Sequence, residues 1–225
     1  MQEDDMTKDD DATTIDPLAS IDFDAPKFQK VNLETMAQIL DAELYTKEWF
    51  VNGNVNPIYF SNEFEFEDPD VKLSGIEEYA RAVYKLFDVT SRAEIISTVV
   101  NSDLGDNVIT CTWRLSGKVK IGPGDGLTFK PYIVSTDFTV EEKTGLILKQ
   151  EDRFDIPGWD ILLSIIFPFL IGVVTKKAAP PVVPRDPTPV YPKLLNINSS
   201  GGSGGVVGDG IEALAQFFLG GIIKS

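Results

Sequence analysis

The chain contains no histidine and only one cysteine, Cys111. Without histidine it lacks the commonest general base near neutral pH, any Ser-His or Cys-His nucleophile pair, and the usual zinc ligand. An enzyme built on this chain would have to work with carboxylates, tyrosine or lysine. A lone cysteine excludes an intrachain disulfide and is consistent with a reducing compartment. Basic residues are also scarce. Twenty Lys and Arg stand against 35 Asp and Glu, for a net charge of −15. The only basic doublet is Lys176-Lys177, so no patch exists to hold a phosphate backbone and nucleic-acid binding is not expected. The start is acidic, whereas targeting peptides are basic or apolar, so no targeting segment is visible. Internal repeats are absent.

What is present suits one ordinary domain with tails: hydrophobic residues make up 43% and charged residues 24% of 225 positions. Residues 1–30 are expected to form a disordered acidic tail, because like charges dominate and apolar material is sparse. Its Asp9-Asp10-Asp11 run lacks the spaced ligands and turn glycine of a calcium loop. No metal or cofactor site is expected anywhere.

The domain is expected over residues 31–157. Leu33, Met36, Ala37, Leu40 and Leu44 recur at helical spacing, with Gln38, Asp41 and Glu43 between them. This predicts one helix over 33–51, capped by Asn32 and ended at Asn52-Gly53-Asn54. Phe64 and Phe66 alternate with acids in a short strand stopped by Pro69. Ser74 and Glu77 read as a capping box for a second helix carrying Ile76, Tyr79, Ala80, Val83 and Phe87 on one face. Strand-like runs follow over 94–100, 107–119, 129–140 and 146–154, separated by Gly- and Asp-rich turns. Connections this short favour an antiparallel meander. The order implies an α+β fold, with helices packed on one face of a curved antiparallel sheet. Gly122-Pro123-Gly124-Asp125-Gly126 joins two strands and lacks the Lys-Ser/Thr ending of a phosphate loop.

Beyond the domain, 158–177 is an apolar segment expected to be helical. Its 159–174 core admits three readings: a docking helix over the open end of the sheet, a membrane-surface segment, or a membrane span interrupted by Pro168. Residues 178–210 are Pro-rich and then Gly/Ser-rich, as in a linker. Residues 211–225 end the chain with Ile211, Leu214, Ala215, Phe218 and Ile222 on one helical face. That helix is too short to stand alone and calls for its own domain, a partner or a membrane surface.

The element order and the stretch Phe66-Glu67-Asp68-Pro69 followed by Leu73-Ser74-Gly75-Ile76-Glu77-Glu78-Tyr79 resemble the NTF2-like superfamily, in particular its SnoaL-like branch. Tyr45-Thr46-Lys47-Glu48-Trp49-Phe50, Trp113-Arg114-Leu115-Ser116 and Glu151-Asp152-Arg153-Phe154-Asp155 are similar to segments of the uncharacterised plant and algal DUF2358 family. The resemblance spans about residues 33–157. It implies an NTF2-like cone enclosing an apolar pocket, and a plastid location where composition alone would suggest the cytoplasm. It carries no agreed activity.

In such a cone the chemistry would sit on an acid whose pKa is tuned by burial. The candidates are Glu65, Glu67, Asp68, Asp137, Glu151 and Asp155. Asp137 shares a strand face with Ile133, Ser135 and Thr139. If that face looks inward, Asp137 is a buried acid and the first choice for a catalytic group. Glu151 shares a charged face with Ile147, Lys149 and Arg153, which is either wet or holds a Glu151–Arg153 pair. Asp68 reads most simply as a turn acid. Tyr45, Trp49, Tyr79, Tyr84, Trp113, Ile133 and Ser135 are the candidates to line a pocket, although the aromatic ones read equally well as core. Cys111 reads as a buried thiol. Three functions stay open: binding of a small apolar ligand or protein partner without catalysis, a SnoaL-like isomerase or cyclase using a carboxylate, and membrane-surface or complex assembly through 159–174 and 211–223.

Overall fold

The computed structural model describes residues 16–121 and 126–184. The expected terminal helix over 211–223, the linker from 185 onward, the first fifteen residues and the 122–125 turn lie outside the described residues. Two helices, α1 (Leu33–Lys47) and α2 (Trp49–Asn52), precede a 3-10 turn (Pro57–Tyr59), β1 (Phe60–Glu67) and β2 (Lys72–Ser74). Then come α3 (Ile76–Leu86), β3 (Arg92–Val100), β4 (Val108–Val119), β5 (Leu127–Val140), β6 (Ile147–Phe154) and α4 (Gly158–Ile166). The strands form one curved sheet in the order β2-β1-β6-β5-β4-β3. The architecture is α+β, as expected.

The sheet is mixed, not purely antiparallel. β3 to β6 form the antiparallel meander, but β1 runs parallel to β6. A short turn forces its two strands to run antiparallel. β1 and β6 are joined by the whole of α3 to β5, so no turn constrains their direction. β2, three residues long, was not foreseen in the sequence.

Asn32 caps α1 as expected, its Oδ1 accepting the Thr35 N–H at 2.7 Å. The helix does not continue to residue 51. Glu48 takes a left-handed conformation, with φ at +48°, and the chain restarts as α2. Gly53 ends α2 at φ +72°, and a Cβ there would lie 2.3 Å from the Ala80 carbonyl oxygen. Glycine thus permits α2 to press against α3. At α3 the expected Ser74–Glu77 capping box is absent. Ser74 is still paired in β2, opposite Glu65, and Gly75 at φ +91° is the cap. Glu78 accepts the Ser74 N–H at 3.1 Å, while Glu77 binds Arg81 at 2.8 Å.

The helices cover the inner sheet face. Ile109, Cys111, Trp113 and Leu115 of β4 are all buried there, as the alternation predicts. Phe50 stacks on Trp113 at 4.6 Å, and Trp49 meets Phe60 edge-on at 5.8 Å. Phe66 lies 4.9 Å from Tyr79. Each such pair adds roughly 0.5–1.5 kcal/mol beyond area burial.

Residues 16–30 contradict the expected disordered tail. Leu18 is 2% exposed, and Ile21, Phe23 and Phe28 pack on the core. The Asp16 carboxylate holds Arg81 at 2.8 Å, and Phe28 meets Tyr59 edge-on at 5.2 Å. The few apolar residues in this acidic stretch suffice because they bind a core that already exists. The chain also folds back on α1, where Asn56 Nδ2 donates to Glu43 Oε1 at 3.4 Å. Glu43, expected on the polar side of α1, is therefore buried.

α4 packs along β5 and ends at Ile166, two residues before Pro168, because a residue preceding proline is pushed out of helical geometry. The Lys130 and Asp160 side chains form an ion pair, each only 1% exposed. No helix among the described residues is long and apolar enough to cross a membrane. Residues 178–182, expected as a free spacer, are tied to the sheet. Ala179 N donates to Pro131 O at 2.8 Å, and Arg114 Nε donates to Ala179 O at 3.0 Å.

Candidate functional site

β4, β5 and β6 bring one chain of polar groups together on the inner face of the sheet. Trp113 Nε1 donates to Thr136 Oγ1 at 2.9 Å, and the Thr136 hydroxyl donates to Asp152 Oδ1 at 2.7 Å. Gln150 Nε2 donates to the same Asp152 oxygen at 3.3 Å and to the Tyr79 hydroxyl at 3.2 Å. The strand register produces this arrangement. Cys111 faces Thr136, and Thr136 faces Asp152, across two antiparallel ladders. Thr136 and Gln150 are wholly buried, and Trp113 and Tyr79 nearly so.

Burial pushes the Asp152 carboxyl up to about 7, and the Thr136 and Gln150 donors only partly oppose that shift. The negative charges of Asp68 and Asp137 act in the same direction as burial. Burial also raises the Tyr79 and Tyr132 phenols, with Asp152 adding to both shifts, so each remains a neutral hydrogen-bond donor. Two further buried polar atoms in this interior, Trp49 Nε1 and Gln150 Oε1, have no hydrogen-bond partner among the described residues. An unpaired buried donor or acceptor costs about 1–3 kcal/mol, which makes such atoms informative. Asp152 itself is partly exposed, in the same end of the sheet as Phe154 and Tyr132, whose rings lie 5.8 Å apart edge-on.

Trp49, Tyr79 and Trp113 do converge in the interior, where they are part of its aromatic packing. Asp137, Ile133 and Ser135 are on the opposite, outer face, because Val134, Thr136 and Phe138 between them take the inward positions. Asp137 accepts the Thr110 hydroxyl at 2.6 Å and pairs with Arg153. It cannot act on the inner face of the sheet. Tyr45 is half-buried on α1, and Tyr84 lines a separate cleft beside the α1–α2 break. Asp68 is a turn acid, its Oδ1 accepting the Asp70 and Val71 N–H groups at 2.8 and 2.6 Å. Glu67 binds Lys72 and Lys149, and these two hydrogen bonds hold its carboxyl down at about 2. Glu65 is exposed in β1. Glu151 pairs with Lys149 at 3.0 Å and not with Arg153. Asp155 accepts the Ile133 N–H at 3.0 Å.

Sequence reasoning missed Asp152 as the inward acid. The signal was there, since a wet face made of Lys149, Glu151 and Arg153 leaves Gln150 and Asp152 on the dry one.

No family model and no curated protein matches the chain. Solved structures of similar fold include a SnoaL-like protein from a Jannaschia species, 16% identical over 60% of this chain and 93% of that one, with a TM-score of 0.45. An NTF2-like protein from Anabaena variabilis is 14% identical over 58% of this chain and 96% of its own, with a TM-score of 0.42. An epoxide hydrolase of Mycobacterium tuberculosis is 14% identical over 63% and 94%, with a TM-score of 0.39. At these identities the likeness is one of overall arrangement, and it transfers no activity to this chain.

Proposed function

We propose that the domain binds a small, largely apolar molecule at the Asp152 end of the cone, with one hydrogen-bonding group of that molecule anchored by the Asp152 carboxyl. The observation that carries this reading is the polar chain Trp113–Thr136–Asp152–Gln150–Tyr79 set inside an otherwise aromatic interior. Few polar groups, fixed in position and surrounded by apolar walls, are the usual make-up of a small-molecule site. The catalytic alternative moves from Asp137 to Asp152, whose inward position and raised carboxyl pKa suit it to hold or pass a proton. The resemblance of its Tyr45–Phe50, Phe66–Pro69, Trp113–Ser116 and Glu151–Asp155 segments to the plant and algal family supports the proposal that the chain is a relative of it.

The test is a thermal-shift and fluorescence screen of the full chain against uncharged aromatic ketones and lactones. A ligand should raise the melting temperature and change the tryptophan emission, and Asp152→Ala and Thr136→Val should each weaken it at least ten-fold. If no member of such a panel binds, or if binding ignores both substitutions, the reading is wrong.

A second reading concerns 159–174. Trp159, Leu162 and Ile166 lie on one exposed stripe of α4, continued by Phe167, Phe169, Val173 and Val174. Exposed large apolar groups this closely spaced mark a contact surface, and aromatic residues of this kind suit a lipid headgroup layer. Flotation with phosphatidylcholine vesicles tests it. The full chain should float, and a Trp159→Ser/Phe169→Ser variant should not. Equal behaviour of the two refutes it.

A further inference from the structure

We infer that the cleft where α1 breaks into α2 binds a small organic oxyanion: a carboxylate or phosphate ester carried on a compact apolar body. The cleft encloses roughly 350 Å³, within the range of small-molecule sites. It shares no lining residue with the Asp152 network and lies between the Glu48 kink, the C-terminal end of α3, the start of β3 and the end of β4. Its walls include Val51, Tyr84 and Val89 together with Glu48, Arg92 and Lys120.

The charges in the cleft are unevenly committed. The Glu48 carboxylate accepts the Ala93 N–H at 3.0 Å. Asp88 Oδ1 accepts both the Thr90 N–H and the Thr90 hydroxyl, at 2.9 and 2.7 Å. Both acids of the cleft are thus turned onto local donors. Lys47, which also lines it, is held by Glu43 at 3.2 Å. Arg92 and Lys120 differ. Neither forms an ion pair among the described residues.

Arg92 Nη1 donates to the Val89 and Ser91 carbonyls at 3.1 and 2.8 Å. That leaves Nε and Nη2 without an acceptor among the described residues. The Nε–Nη2 edge of a guanidinium matches the spacing of two oxygens of a carboxylate or phosphate, which is why arginine grips such groups bidentately. Lys120 Nζ donates to the Tyr84 carbonyl at 2.8 Å and stands 4.5 Å above the Tyr84 ring. It adds a second positive charge, and the ring and the two valines supply the apolar wall. Two cations that line one concavity, one of them with its Nε–Nη2 edge open, make a site for an anion.

The experiment is an NMR titration of the ¹⁵N-labelled full chain at fixed ionic strength, with benzoate, phenyl phosphate, inorganic phosphate and benzylamine. Benzoate or phenyl phosphate should shift the Val51, Val89 and Arg92 amides saturably, and the tighter of the two identifies the anionic group. Inorganic phosphate should bind more weakly and benzylamine should cause no saturable shift. Arg92→Gln combined with Lys120→Gln should raise the dissociation constant at least ten-fold. Arg92→Lys, which keeps the charge and loses the fork, should fall between. Both residues are exposed, so the variants retain the wild-type spectrum elsewhere. The inference is overturned if neither aromatic anion gives saturable shifts, if inorganic phosphate or benzylamine binds as tightly, or if the double variant binds like the wild type.

Discussion

Trp113 and Asp152 are joined through a single hydroxyl, that of Thr136, which accepts from the indole at 2.9 Å and donates to the carboxylate at 2.7 Å. The three side chains come from three adjacent strands. The link therefore reports on the register of the sheet as well as on the chemistry of the site.

The Asp152 carboxyl makes stability depend on pH. Its folded-state pKa of about 7 lies above the value near 4 of an exposed aspartate. The native state thus binds an extra proton between those two values. Its contribution is fully present below about pH 4 and is lost as pH rises through about 7, by on the order of a few kcal/mol. Asp152→Asn keeps an acceptor for Thr136 and cannot ionise. Urea unfolding of this variant should lose much of the wild-type decline between pH 4 and 8, and at pH 8 it should be at least as stable as the wild type. A variant with the same pH slope as the wild type would mean that Asp152 is not the titrating group.

The Lys130–Asp160 pair fastens α4 to β5. Although burial opposes ionisation, the Lys130 ammonium and the Lys176 N–H hold the Asp160 carboxyl below its usual range. This contribution is present above pH 4 and is lost as pH falls through the lowered value. Asp160→Asn leaves a buried lysine without its counter-ion and should cost about 3–5 kcal/mol. Lys130→Met with Asp160→Leu removes both charges and should recover most of that loss. Denaturant midpoints of the two variants decide the point.

Asp137→Asn should change stability by less than about 1 kcal/mol, since its partner Arg153 is half exposed and pairs of this kind contribute little. It should affect ligand binding at Asp152 only weakly, because Asp137 reaches that site through its charge alone. A loss of binding comparable to that of Asp152→Ala would contradict the assignment of faces.

Glu48 combines a strained backbone with a useful carboxylate. Glu48→Ala keeps the left-handed conformation and loses the acceptor for Ala93 N–H, and should cost about 1–2 kcal/mol. Glu48→Gly loses the acceptor but relieves the strain, and should come within about 1 kcal/mol of the wild type. Equal losses in the two variants would show that the backbone conformation there carries no strain.

Much of the fold was legible in the residues. Local periodicity located α1, α3 and the meander strands, and the Asn32 cap and the Gly53 stop, because these depend on near neighbours and on the intrinsic geometry of each residue. The pattern in β4 also separated its two faces, since one of them is apolar throughout. β5 was different. Its faces carry Val134, Thr136 and Phe138 on one side and Ile133, Ser135 and Asp137 on the other, each mixing apolar and polar groups.

Alternation divides such a strand into two sides without saying which side looks inward. Only pairing with β4, where Trp113 fixes the inner face, turned Asp137 outward, whereas in β6 the charged face of Lys149, Glu151 and Arg153 already left Asp152 on the other side. The parallel β1–β6 pairing, the kink at Glu48, the burial of Glu43 and the docking of residues 16–30 were likewise decided by tertiary structure. Each depends on a partner distant in the chain, and short-range spacing carries no information about such a partner.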